Sequence, residues 1–176
     1  MIELQQFQKL DCSRLINWIP DARFLMQFAG PKYTFPLDER QILKTMENTA
    51  GNDPSYYMFK AVILPEQQII GHIELMNINR EKRTTHMGSV LIGDPNKRGK
   101  GLGTEMIKKA TGFAFNIIGV NEITLTVYDF NKSAISCYNR AGFENYRFKA
   151  KGRRFEDEYW DMIIMRLKRK DLPTLS

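Results

Sequence analysis

The chain has 176 residues, 43% of them hydrophobic and 26% charged, which suits one globular domain with a full core. Its formal charge of +6 favours anionic ligands and disfavours polycationic ones, yet few aromatics interleave with the basic run Arg166, Lys168, Arg169 and Lys170 before Pro173, so a nucleic-acid surface is poorly supported. No stretch approaches the roughly 20 apolar residues of a membrane span, and Met1–Leu10 has no signal-peptide character.

Met1–Phe7 alternates loosely and predicts a first strand. Asp11–Trp18 and Asp21–Ala29 predict short helices, divided by Pro20 and stopped by Gly30-Pro31. Asp38 stands three residues before Gln41, a capping-box spacing that opens a helix over Glu39–Thr49. Tyr56–Leu64, Gln68–Asn77 and Thr84–Ile92 are strands joined by short turns, hence an antiparallel meander. Leu102, Met106, Ile107, Ala110, Phe113, Ala114, Ile117 and Ile118 then make one apolar helical stripe ahead of Gly119. Glu122–Tyr128 alternates as a strand, and Asn131 starts a short helix ending at Gly142. Phe143–Lys149 and Glu158–Leu167 are expected to pair around Lys151-Gly152-Arg153. This order predicts a single α+β domain over 1–176, with a mixed sheet and flanking helices. Cys12 and Cys137 alone form neither a disulfide framework nor a zinc spacing, so no metal is expected and the cytoplasm is the default location.

The chemistry concentrates between the third meander strand and the long helix. Gly99, Gly101 and Gly103 alternate there, removing side chains where a ligand must approach the backbone. The helix start adds free N–H groups and the positive end of its dipole, and Lys97, Arg98 and Lys100 add charge, together a site for a phosphate-bearing ligand. A P-loop fails, because five residues separate Gly93 from Gly99 and Gly101 stands where a hydroxyl should follow Lys100. A dinucleotide fingerprint fits poorly, since the third glycine is misplaced and the preceding strands look antiparallel.

Arg98-x-x-Gly101-x-Gly103 matches (Arg/Gln)-x-x-Gly-x-(Gly/Ala) after a strand, and so resembles the acetyl-CoA signature of the GNAT superfamily of N-acetyltransferases. Downstream, Asn131-x-x-Ala134-x-x-x-Tyr138-x-x-x-Gly142-Phe143 resembles that family's second segment. The likeness is strong over about 84–143, and extends to the branch of ribosomal-protein N-terminal alanine acetyltransferases through Tyr159–Met165. It implies a mainly antiparallel sheet in which two parallel strands splay apart around the cofactor. It further implies that Arg98, Gly99, Lys100, Gly101, Leu102, Gly103 and Thr104 wrap the pyrophosphate, that Val90, Leu91 and Ile92 pair with the pantetheine arm, and that Asn131 touches it. Asn131 also reads as a plain helix N-cap.

Tyr138 is the candidate general acid, a phenol placed to protonate the departing thiolate. Glu74 is the candidate base; His72 shares its strand face, His86 is weaker, and a water chain is the remaining alternative. An N–H near Leu91 or Ile92 would polarise the thioester carbonyl. No histidine is placed to activate Cys137, so direct transfer in a ternary complex is expected. For the acceptor amine, Trp18, Phe24, Phe28, Tyr33, Phe35 and Trp160 are candidate pocket residues, with Lys32 set to meet an acceptor carboxylate and 30–36 as a rim. A homodimer is left open, and a catalytically silent acyl-CoA-binding sensor is the rival reading.

Overall fold

The alternating and apolar runs come together as one seven-stranded sheet in the computed structural model, which describes residues 1–170; Pro173 lies outside them. Along the chain the elements are β1 (Ile2–Gln6), α1 (Cys12–Asn17), α2 (Ala22–Ala29), α3 (Glu39–Met46), β2 (Tyr57–Ile63), β3 (Gln68–Asn79) and β4 (Thr84–Ile92). Then come α4 (Leu102–Phe113), β5 (Glu122–Tyr128), α5 (Lys132–Arg140), β6 (Glu144–Phe155) and β7 (Glu158–Lys168). The order across the sheet is β1-β2-β3-β4-β5-β7-β6, and only β4 and β5 run parallel. The expected mixed, mainly antiparallel sheet is present.

Local chemistry starts the helices where the sequence indicated. The Asp21 carboxylate accepts from Phe24 N–H at 2.7 Å, and Asp38 accepts from Gln41 N–H at 2.9 Å, each satisfying an otherwise orphaned donor. Helices cover both faces. Met106, Ile107 and Ala110 of α4 bury against Ile73, Leu75, Ile123 and Leu125, while Leu15, Leu25 and Ile42 of α1–α3 bury with Phe7, Met58 and Leu91. Each full burial of a Leu or Ile side chain contributes about 1.5–3 kcal/mol. The central strand β3 is therefore buried on both sides from Ile70 to Leu75, which places Glu74 inside the molecule rather than on an exposed face.

Two details depart from the sequence reading. The last hairpin turns at Glu156-Asp157, not around Lys151-Gly152-Arg153. The register instead slips between Lys149 and Arg153, so Gly152 marks a bulge. A Cβ there would lie 2.7 Å from Met162 Sδ, which is why glycine occupies it. The long helix also loosens into a π-helical turn over Ala114–Ile118, and this rotates Ile117 out of the predicted stripe to 70% exposure.

The feature that opens the molecule is in β4. Its pairing with β5 covers only Thr84–Met87 against Glu122–Leu125. Against β3, Glu74 faces Gly88 and His72 faces Leu91, so β4 carries one extra residue, with Ser89 at a φ of +48°. Such a bulge bends a strand and ends its pairing. Beyond it, β4 and β5 part into a cleft.

Candidate functional site

The cleft continues as a cavity of about 330 Å³, walled by β4, by the turn before α4, by α5 and by α2. Val90, Leu91 and Ile92 line one side, and Arg98, Gly99, Gly101 and Gly103 close the end. Gly99 and Gly101 have φ of +74° and +79°, a conformation that costs a side-chain-bearing residue about 1–2 kcal/mol. Gly101 is the N-cap of α4 and no side chain caps it, which leaves the first N–H groups of the helix free for an anion. Arg98 takes a structural share in this turn: its Nε donates to the Ile92 carbonyl at 2.8 Å and its Nη2 to the Gly93 carbonyl at 3.4 Å. Lys100 stands exposed, Leu102 packs into the core, and Thr104 Oγ1 lies 3.1 Å from Cys137 Sγ; none of the three lines the cavity.

The opposite wall comes from α5. Asn131 caps it, accepting from Ala134 N–H at 3.2 Å, and lines the cavity as well. Tyr138 also lines the cavity, is only 8% exposed, and sets its ring edge-on to Phe143 with centroids 6.1 Å apart. Burial pushes its phenol pKa up, and the neighbouring Cys137 adds to the rise, so the hydroxyl keeps its proton at neutral pH.

Glu74 sits on β3 beneath this cleft, fully buried and absent from the cavity lining. Its carboxylate is ringed by donors: Lys32 Nζ, Tyr56 Oη at 2.5 Å and His72 Nε2 at 2.8 Å. Lys32 Nζ also donates to Tyr56 Oη at 3.1 Å and to Ser89 Oγ at 2.9 Å. Burial alone would raise the Glu74 pKa, but the Lys32 ammonium and the His72 contact outweigh it and hold the carboxyl well below the usual carboxylate range. The same burial and the Glu74 charge push Tyr56 up. His72 Nδ1 has no partner among the described residues, its ring being wedged edge-on against Phe7 and Phe28. His86 lies on the paired part of β4, 3.0 Å from Thr124 Oγ1 and off the cavity.

Among the aromatics suggested for the acceptor, Phe24 and Phe28 line the cavity, together with Gln27. Trp18 instead lies flat on Gly93, where a Cβ would fall 2.0 Å from the indole. Tyr33 is buried, Phe35 is exposed, and Trp160 joins Tyr128 and Met162 in a separate cluster. Lys32, expected to reach an acceptor, is committed to Glu74, Tyr56 and Ser89. Sequence reasoning missed Tyr56 and Ser89 altogether, because only the β2–β3 register brings Tyr56 to Glu74, and only the β4 bulge and the fold of 30–36 bring Ser89 to Lys32. Ser133 and Arg140 were missed too, although both belong to the Asn131–Phe143 segment and line the cavity.

Residues 2–144 match the family model of the acetyltransferase (GNAT) domain. The spermidine N(1)-acetyltransferase of Vibrio cholerae serotype O1 is 30% identical over 78 residues, and that stretch spans only 44% of either chain. The crystal structure of the Vibrio cholerae spermidine N-acetyltransferase in complex with CoA and spermine superposes with a TM-score of 0.81 over 95% of both chains, at 20% identity. A second structure of a spermidine/spermine N-acetyltransferase from Vibrio cholerae gives a TM-score of 0.75 at 20% identity, over 95% of this chain and 92% of that one. With the splayed β4–β5 pair, the glycine turn and the matching domain model together, this chain belongs to the GNAT acetyltransferase family.

Proposed function

We propose that the protein is an N-acetyltransferase that passes the acetyl group of acetyl-CoA directly to a primary amine in a ternary complex. The observation that carries this reading is one cavity joining three things: the parted edge of β4, the uncapped start of α4 behind Gly99 and Gly101, and Tyr138. The free N–H groups from Gly101 to Thr104 take the pyrophosphate, with Lys100 at the rim as a cation. Along β4, Gly93 N–H turns toward β3, bonding the Ile70 carbonyl at 2.8 Å. By the alternation of a strand, Leu91 N–H shares that side and Ile92 N–H faces the cleft. This supports Ile92 as the donor that polarises the thioester carbonyl.

The amine nitrogen attacks that carbonyl, the carbon–sulfur bond breaks, the leaving thiolate takes the Tyr138 phenolic proton, and the proton shed by the new amide nitrogen restores the phenol. The attacking amine must first lose a proton. Among the described residues no carboxylate and no histidine lines the cavity, and Glu74 holds its charge against Lys32, which supports water as the proton acceptor. Glu74 serves the reaction as a fixed charge that holds Lys32, which in turn donates to Ser89 in the bulge. Tyr138 on the cavity favours transfer over a silent acyl-CoA-binding role. Phe24, Gln27 and Phe28 on the cavity wall support that side as the entry of the acceptor amine, whether of a protein N-terminus or of a small molecule. The two free thiols support a cytoplasmic setting. A homodimer is supported by β6, which lies at the sheet edge with Tyr146 and Phe148 exposed. The test is thiol release from acetyl-CoA across an amine panel; no amine-dependent release from any amine overturns the reading.

A further inference from the structure

Helix α2 presents two faces. Phe24, Gln27 and Phe28 look into the cavity, while Arg23 and Met26, one helical step round, look onto the ends of β5 and β7. There the Arg23 guanidinium is surrounded by three aromatic rings: Trp160 at 5.0 Å, Phe155 at 5.9 Å and Phe130 at 6.0 Å from their centroids. Both Glu158 oxygens accept from its Nη1, at 3.0 and 3.2 Å, and the Trp160 indole N–H fixes the same carboxylate at 3.0 Å. The rings brace one another, Phe130 and Phe155 lying 5.0 and 4.9 Å from Trp160. A carboxylate and three ring faces around one point recognise a cation, whether guanidinium or ammonium. The site adjoins the acceptor mouth, since Arg23 precedes Phe24 and Phe130 precedes Asn131, both of which line the cavity.

We propose that Phe130, Phe155, Trp160 and Glu158 form a cation subsite beside the acceptor mouth, held by Arg23, so that an acceptor with a second cationic group must displace that side chain to bind. The proposal rests on acetyl transfer to an amine. A net charge of +6 already disfavours polycationic acceptors, and an aromatic cage filled by the protein's own cation adds to that. Arg23 is 52% exposed, so the exchange needs no unfolding of α2.

The test compares pentylamine with 1,5-diaminopentane, matched in length but differing by one ammonium. The Arg23→Ala protein should raise the diamine-to-monoamine ratio of kcat/KM at least tenfold over the parent, and Arg23→Lys, which refills the cage, should leave it near the parental value. A ratio unchanged in Arg23→Ala overturns the proposal. Calorimetry with spermidine gives a reading that needs no turnover: Arg23→Ala should bind it, and adding Glu158→Gln should weaken that binding tenfold or more. Equal binding by both variants also overturns it. If no amine is acetylated by any variant, the acetyltransferase reading fails, while the calorimetric comparison still decides the cage. An unchanged acetyl-CoA affinity in Arg23→Ala establishes that the fold is intact.

Discussion

Tyr138 is the one titratable side chain on the cavity wall whose proton is both secure and deliverable. Its hydroxyl is buried and raised in pKa, so it stays protonated, and the same burial desolvates a thiolate forming beside it and makes that thiolate a stronger proton acceptor than it is in water. Tyr138→Phe should therefore lower kcat about 10²–10⁴-fold while leaving the acetyl-CoA Kd within about twofold, because the ring's packing on Phe143 is retained. An unchanged kcat removes the acid role. Glu74 calls for a different measurement. Its charge is neutralised in the interior by Lys32, so Lys32→Met should destabilise the fold by about 3–5 kcal/mol, read from chemical denaturation. Because the Glu74 pKa is depressed in the folded state, its stabilising contribution is present above the unfolded value of 4.5 and is lost as pH falls through the lower folded value. Activity should accordingly show no acidic inflection from Glu74 near neutrality, and kcat/KM should rise tenfold per pH unit up to the pKa of the acceptor amine. An inflection between pH 5 and 7 that Glu74→Gln abolishes would restore the carboxylate as base. Tyr138 was legible because its signal is local, a tyrosine at fixed spacing from Asn131 and Gly142. The Lys32–Glu74–Ser89 contacts were not, because residues 42 and 57 positions apart meet only when the 30–36 segment folds over β3 and β4.

The turn into α4 joins sequence to site most directly. Alternating glycines before an apolar stripe predict a helix start with an open N-terminus, and Gly99 and Gly101 do adopt left-handed backbone there. No protein atom lies within 4 Å of where a Cβ on Gly101 would stand. A Cβ on Gly101 thus meets nothing beyond its chain neighbours, so Gly101→Val carries chiefly the backbone strain, about 1–2 kcal/mol, while its methyls enter the space kept for the ligand. The expected result is a stable protein whose acetyl-CoA binding is lost, measured by calorimetry beside a melting curve; retained affinity means that the pyrophosphate lies elsewhere. Gly152 shows the opposite limit. Its sequence neighbourhood reads as a hairpin turn, but the glycine answers to Met162 on the facing strand, and the chain turns only at Glu156-Asp157. A bulge and a turn use the same residue type, and only the partner strand distinguishes them. The β4 bulge at Ser89 was hidden for the same reason, although it opens the cleft.

Taken whole, the molecule couples its stability to the donor it binds, because the cleft divides the sheet that organises both cores. The paired part of β4–β5 covers four residues on each strand, and the rest of both edges lacks a strand partner. A ligand with amides along its length can supply hydrogen bonds where the strand ladder is missing, and its pyrophosphate can satisfy the free N–H groups at the start of α4. Binding to the folded state alone raises stability by RT ln(1 + [L]/Kd), about 2.7 kcal/mol at a hundredfold excess. For a chain of this size that corresponds to a rise in Tm of about 5–11 °C. CoA should give a shift close to that of acetyl-CoA, since the acetyl group adds little to the contacts made by the turn and by β4. RNA should give none, because it has no arm of amides to fill the gap between β4 and β5. Thermal unfolding with the three ligands separates the outcomes: no shift with either CoA species overturns the donor assignment, and a shift with RNA alone returns the basic surface to a nucleic-acid role.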